Sequence, residues 1–139
     1  PDMQMLEQLA EKLELDNVEF LGAKWEEDMD AELQACRFVV VPSMWHENFP
    51  YVINQSFAFG KPVIGSNRGG IPELVRHGER GFIYEATDSR ALAKVIKELW
   101  LDPERVDGMG RNAKEFSDRE FNDNFLYQTL EEIYLEVLS

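Results

Sequence analysis

The run Arg37-Phe38-Val39-Val40-Val41, closed by Pro42-Ser43, constrains this chain more than any other feature. Its unbroken apolar stretch leaves no polar face, so a strand formed here must be covered on both sides. Pro62-Val63-Ile64-Gly65 repeats the pattern, with proline at the first position a strand tolerates. Gly81-Phe82-Ile83-Tyr84 is a further such run, and Asn17-Val18-Glu19-Phe20-Leu21-Gly22 is a β-prone segment closed by glycine. Helical patterns separate and follow these segments. Leu6, Leu9, Ala10 and Leu13 recur at i, i+3, i+4 and i+7, which predicts a helix over Asp2 to Leu15. Glu26 to Ala35 reads as a short acidic helix, and Phe49 to Phe59 as one ended by Gly60. Leu92, Val95, Ile96 and Leu99 mark another, and Asp102-Pro103 starts the next with an N-cap aspartate and a proline in first position. Ser117 to Glu120 has the form of a capping box ahead of a last helix carrying Phe121, Phe125, Leu130, Ile133, Tyr134 and Val137. Strands alternating with helices imply an α/β domain on a parallel sheet. Such sheets bind ligands at the C-terminal ends of their strands, so the loops after Leu21, Val41 and Ile64 are the ones to inspect.

At 139 residues the chain has the length of one domain, and 44% hydrophobic residues suffice for a packed core. The formal net charge of −13 argues against nucleic-acid partners and against an anionic membrane surface. It is unevenly spread: −9 over 1–36, +2 over 37–84 and −6 over 85–139. The middle stretch is spared the acidity of its flanks. Cys36 is the only cysteine, which excludes an internal disulfide framework and a cysteine-rich zinc site. No apolar run reaches transmembrane length and no signal-peptide pattern opens the sequence, so the expected location is cytoplasmic.

The densest chemistry lies in Val41-Pro42-Ser43-Met44-Trp45-His46-Glu47-Asn48-Phe49-Pro50-Tyr51, between a strand end and a helix start. Asn48 is a candidate N-cap and Pro50 suits the first turn. The amides of Phe49, Tyr51 and Val52 would then face outward, where the helix dipole favours an anion such as phosphate. Glu47 either supports the loop or bonds ligand hydroxyls. Gln55 lies two turns along the same face, and its amide can donate to and accept from a diol. On spacing alone, this start is equally compatible with a helix that binds nothing. In Gly65-Ser66-Asn67-Arg68-Gly69-Gly70-Ile71-Pro72-Glu73 the paired glycines would let a ligand approach the backbone, and Arg68 either faces a diphosphate or is solvated. His46 and His77 read as exposed, Cys36 as a small core hydrophobe, and Trp25 and Trp100 as packing residues; Trp45 covers the site or merely packs.

Taken in order, Pro42-Ser43, Trp45-x-Glu47-Asn48-x-Pro50, Gly60-Lys61-Pro62-Val63-Ile64, Gly69-Gly70-Ile71-Pro72-Glu73 and Gly81-Phe82 resemble the C-terminal, donor-binding domain of the group 1 (family 4) retaining glycosyltransferases. The resemblance covers almost the whole chain. It implies the C-terminal half of a GT-B fold, with a Rossmann-like parallel sheet, flanking helices and an all-helical C-terminal segment. Of the family's two glutamates, which are separated by seven intervening residues, the first matches Glu47, placed near the donor sugar. The second, which holds the ribose hydroxyls, is matched by Gln55, a diol partner without charge. The resemblance implies that backbone amides of Asn48, Phe49, Pro50 to Tyr51 and Val52 line the sugar and diphosphate, and that Gly22, Ala23 and Lys24 cradle the base.

Family members begin this domain with a strand, a loop bearing glycine, arginine and lysine, and a second strand. The matching region here starts after these, so 1–139 is expected to be one partial nucleotide-sugar-binding domain whose first two strands and N-terminal acceptor domain are absent. The implied function is transfer of a sugar from a nucleotide-diphosphate sugar with retention, to a glycan or lipid-linked acceptor held by the missing domain. That missing domain could also supply a peripheral membrane contact. The donor is a substrate, and no cofactor or metal is expected, there being no Asp-x-Asp motif near the site. The partial domain by itself is expected to be inactive. The alternatives are a non-catalytic nucleotide-binding or scaffolding module, motivated by Gln55, and, ranked last, a GT-B-like sugar-nucleotide epimerase.

Overall fold

In a computed structural model, which describes residues 3–138, successive residues of each strand are buried on opposite faces of a parallel sheet. Among the described residues the sheet has three strands, β1 (Val39–Val41), β2 (Val63–Ser66) and β3 (Gly81–Tyr84), in the order β1-β2-β3. Val39, Val41, Val63 and Ile83 join one apolar cluster with α3 (Tyr51–Ala58) and α4 (Ile71–Val75). Phe38, Val40, Ile64, Phe82 and Tyr84 join a second with α5 (Ser89–Leu101). This two-sided burial is what the unbroken apolar runs predicted. Each fully buried Val, Ile or Phe contributes about 1.5–3 kcal/mol.

The remaining helices are α1 (Met3–Lys12), α2 (Glu26–Ala35), α6 (Pro103–Glu120) and α7 (Asp123–Leu138). The chain forms two compact units, one running to Ala31 and the other from Glu32 onward. In the first, the segment 17–22 is not a strand. A strand exists only through ladder partners, and none pairs with it among the described residues; Val18 and Leu21 are exposed there.

In the second unit, Lys61 Nζ donates to the carbonyls of Gln34 and Cys36, each at 2.9 Å, satisfying the C-terminal end of α2. Asp88 Oδ1 accepts from the amides of Arg90 and Ala91 and starts α5 earlier than the apolar pattern marks it. Asp102 caps α6 through Arg105 N at 3.0 Å, as expected from the Asp-Pro pair.

The Ser117–Glu120 capping box is not used. Ser117 lies buried inside α6, its hydroxyl donating to Asn54 Oδ1, and α6 runs on to Glu120. The break comes at Phe121-Asn122, where Asn122 Oδ1 accepts from Phe125 N at 2.9 Å and takes the cap of α7. Among the described residues of α7 none is fully buried, and Leu126, Leu130, Ile133, Tyr134 and Val137 remain exposed.

Arg80, just before β3, is 2% exposed. Its Nε donates to Leu74 O at 2.8 Å and Nη2 to Glu73 O at 3.3 Å, closing the C-terminal turn of α4. Nη1 meets Glu79 Oε1 at 2.9 Å, and the guanidinium carbon lies 3.8 Å from the Phe116 ring centroid. Burial pulls this guanidinium below the ordinary arginine range. Four contacts to one planar head fix α4, β3 and α6 to one another.

Candidate functional site

The loop 42–50 joins the end of β1 to the start of α3, at the strand ends where parallel sheets carry ligands. Four contacts set its path. The Ser66 hydroxyl, at the end of β2, donates to Ser43 O at 2.7 Å. The Ser43 hydroxyl donates to Glu47 Oε1 at 2.9 Å, and the Trp45 indole Nε1 donates to the same oxygen at 2.7 Å. Gly70 N donates to Glu47 O at 2.8 Å. Glu47 is half-buried, and among the described residues its Oε2 takes no hydrogen bond.

The paired glycines serve this loop. A Cβ on Gly69 would fall 2.0 Å from Glu47 O, and one on Gly70 would fall 2.4 Å from Asn48 O. Gly69 also has φ +53°, a conformation that costs a side-chain-bearing residue about 1–2 kcal/mol. The backbone that these glycines demonstrably admit is that of Glu47 and Asn48.

At the start of α3 the N-cap is Pro50, with φ −72° and ψ 106° and no side-chain cap. Asn48 is not the cap. The fixed φ of Pro50 ends the extended segment there, and the first backbone bond, Ile53 N to Pro50 O at 3.0 Å, places Asn48 two residues too early. The amides of Tyr51 and Val52 precede that first bond and have no carbonyl behind them in the helix, as a helix N-terminus requires. Tyr51 is 75% exposed, and Gln55 is exposed one turn further along the same face. Pro50 is buried and Val52 packs its side chain into the core, so Val52 has only its backbone to offer a ligand. Phe49 packs edge-on against Phe121 at 5.5 Å and Tyr51 at 6.2 Å, and Phe121 against Phe116 at 5.5 Å, tying the loop to the end of α6.

Arg68 is partly exposed and is paired at one end of its head group. Its Nη2 lies 3.6 Å from Glu85 Oε1, and its Nε is buried without a partner. Asn67 braces the same corner, donating to Glu85 Oε2 at 2.6 Å and accepting from Ala86 N at 3.1 Å. Gly22, Ala23 and Lys24 belong to the first unit, where Gly22 has φ +70° and lies in an exposed turn. His46 is exposed as expected. His77 is exposed too, but its Nδ1 accepts from Ile83 N at 3.1 Å, so the ring supports β3. Cys36 is half-buried rather than a core residue, and burial pushes its thiol up. Trp25 and Trp100 are largely exposed rather than packed inside; Trp100 lies under the Arg37 guanidinium at 5.0 Å.

Among the described residues no cluster of His, Cys, Asp and Glu could hold a metal ion, and no helix is long and apolar enough to cross a membrane. Sequence reasoning placed Ser43 and Trp45 in the motif but missed that both bond Glu47, and it gave Ser66 no role. The available signal was the presence of two donors, Ser43 and Trp45, in the same loop just ahead of Glu47.

Residues 1–116 match the family described as "Glycosyl transferases group 1". The chain belongs to the group 1 glycosyltransferases. It is 33% identical over 139 residues to N-acetyl-alpha-D-glucosaminyl L-malate synthase of Bacillus anthracis, covering 99% of this chain and 36% of the relative. Among solved structures, Anabaena HepE in complex with UDP superposes with a TM-score of 0.87 at 30% identity, covering 96% of this chain and 36% of that one. HepE has also been solved with UDP-glucose and with UDP and glucose. Sucrose-phosphate synthase from Thermosynechococcus elongatus superposes with a TM-score of 0.86 at 29% identity, covering 97% of this chain and 34% of that one. This group 1 chain thus spans about a third of the length of the relatives it matches. Its α/β architecture, with the parallel strands β1 to β3, agrees with a Rossmann-like half of a GT-B fold.

Proposed function

We propose that this chain is the donor-binding part of a longer glycosyltransferase, which moves a sugar from a nucleoside diphosphate sugar to an acceptor with retention at the anomeric carbon. One observation carries the reading. Glu47, bonded on Oε1 and unbonded on Oε2 among the described residues, stands just ahead of the uncapped N-terminus of α3. An uncapped N-terminus presents amides and a positive dipole end to an anion. As the leaving diphosphate gathers charge in the transition state, the Tyr51 and Val52 amides would stabilise it electrostatically. Glu47 would accept from a sugar hydroxyl and orient the donor. Gln55, on the exposed face of α3, would bond the ribose diol through its amide. Asn48, Phe49 and Pro50 shape the approach to those amides. Within the first unit, Gly22, Ala23 and Lys24 would offer backbone groups to a nucleotide base. Diphosphate charge is assigned here to amides and basic groups, with no metal cofactor in the scheme. The nucleotide and sugar bound by HepE favour a donor of this class.

The test uses the full-length protein carrying this chain, with UDP-, GDP- and ADP-sugars as donors. Glu47→Ala is expected to lower transfer by about a hundredfold. Unchanged transfer would remove Glu47 from the mechanism, and no transfer by the wild-type protein with any donor would sink the assignment itself.

The neutral Gln55 favours a second reading, a nucleotide-binding module that has lost catalysis. Gln55→Glu in the full-length protein separates the two. Under the catalytic reading, activity changes by less than about threefold. A gain of tenfold or more would mark a weakened or lost enzyme.

A further inference from the structure

Glu47 does not hold its own orientation. Its Oε1 sits between the Ser43 hydroxyl at 2.9 Å and the Trp45 indole N–H at 2.7 Å. Two donors on one oxygen fix the carboxylate plane and occupy the lone pairs on that side. Ser43 is in turn fixed from the sheet: it is buried, and its carbonyl accepts from the hydroxyl of the fully buried Ser66 at 2.7 Å. A line of contacts therefore runs from β2 through Ser43 to Oε1. Trp45 reaches the same oxygen from the solvent side. Trp45 is 64% exposed, so core packing does not account for its place, whereas the indole bond does.

We infer that Ser43 and Trp45 are positioning residues, which saturate Glu47 Oε1 so that Oε2 alone is presented to a hydroxyl of the donor sugar. The inference rests on the function proposed above. Held this way, the carboxylate acts as an acceptor of fixed direction. With either donor removed, the carboxylate can rotate about its last bond, and the sugar hydroxyl meets a mobile partner. A misplacement on the order of 1 Å at such a group costs up to about a hundredfold in rate.

The experiment is a mutant cycle in the full-length protein, with kcat and KM measured separately for the donor. Ser43→Ala and Trp45→Phe are each expected to lower kcat by about tenfold, with a smaller change in donor KM. Ser43→Thr, which keeps the hydroxyl, is expected to restore most of the loss. In a Glu47→Ala background both substitutions are expected to cost less than about twofold, because there is no carboxylate left to position. Full, additive losses in that background would overturn the positioning roles, as would wild-type kcat in both single variants while Glu47→Ala is impaired. Those two results leave the proposed function standing. If Glu47→Ala itself has no effect, the function proposed for Glu47 fails first, and the positioning roles fall with it.

Discussion

Replacing Gly69 with alanine is expected to lower the melting temperature of the 139-residue chain by roughly 10 °C and to remove transfer activity from the full-length protein. Two costs add. A side chain at φ +53° costs about 1–2 kcal/mol. The new Cβ would also stand 2.0 Å from Glu47 O and 2.6 Å from Glu47 N. Both are backbone atoms, so no rotamer change can relieve the overlap. Either the Gly69-Gly70 turn or the Glu47 loop must move, and the Gly70 N to Glu47 O bond breaks with it. A total near 3 kcal/mol follows, which for a domain of this size corresponds to about 3–4 °C per kcal/mol. Thermal unfolding by circular dichroism measures the first effect and a donor-transfer assay the second. A variant with wild-type melting and wild-type transfer would show that the two loops do not need their present separation.

Arg80→Ala carries the other large effect, on stability rather than chemistry. The substitution empties a buried site and leaves the carbonyls of Glu73 and Leu74 without their donor. It also removes the guanidinium from the Phe116 face. Leaving two carbonyls unpaired and emptying the space beside Phe116 together cost about 3–4 kcal/mol. The expected result is a chain unfolding about 10–15 °C earlier, with Arg80→Lys recovering less than half of the loss, because a point charge cannot bond two carbonyls and stack on a ring at once. Thermal unfolding of the three proteins provides the comparison. Equal midpoints for wild type and Arg80→Ala would mean that α4 is held by its apolar contacts alone.

The three strands could be read from the sequence because burial on both faces leaves an apolar run with no alternation to interpret. Val39 to Val41 and Val63-Ile64 are such runs, and their flanking prolines and glycine mark the ends. The segment 17–22 has the same local character but is no strand, because pairing is a property of the neighbours and not of the segment. Ser117-x-x-Glu120 failed for a related reason. The box is a local pattern, and the bond that Ser117 makes instead is to Asn54, distant in the chain. At the site, Glu47 and the helix start could be read from residue types alone, though the helix begins at Tyr51 rather than Phe49. The roles of Ser43, Trp45 and Gly69 could not. Which donors meet a carboxylate, and whose backbone fills the space beside a glycine, depend on the path of two loops that meet only in the fold.

Helix α6 supplies core residues to both sides of the sheet. Val106 and Met109 enter the cluster with α5, while Ala113 and Phe116 pack with α3 and α4. Between them Gly110 lies so close to the carbonyl of Gly60 that a Cβ there would fall 2.3 Å from it. Lifting this helix removes core residues from both clusters at once. The two clusters of the second unit are thereby coupled through one helix, and slow amide exchange is expected on both sides of the sheet rather than on one favoured side.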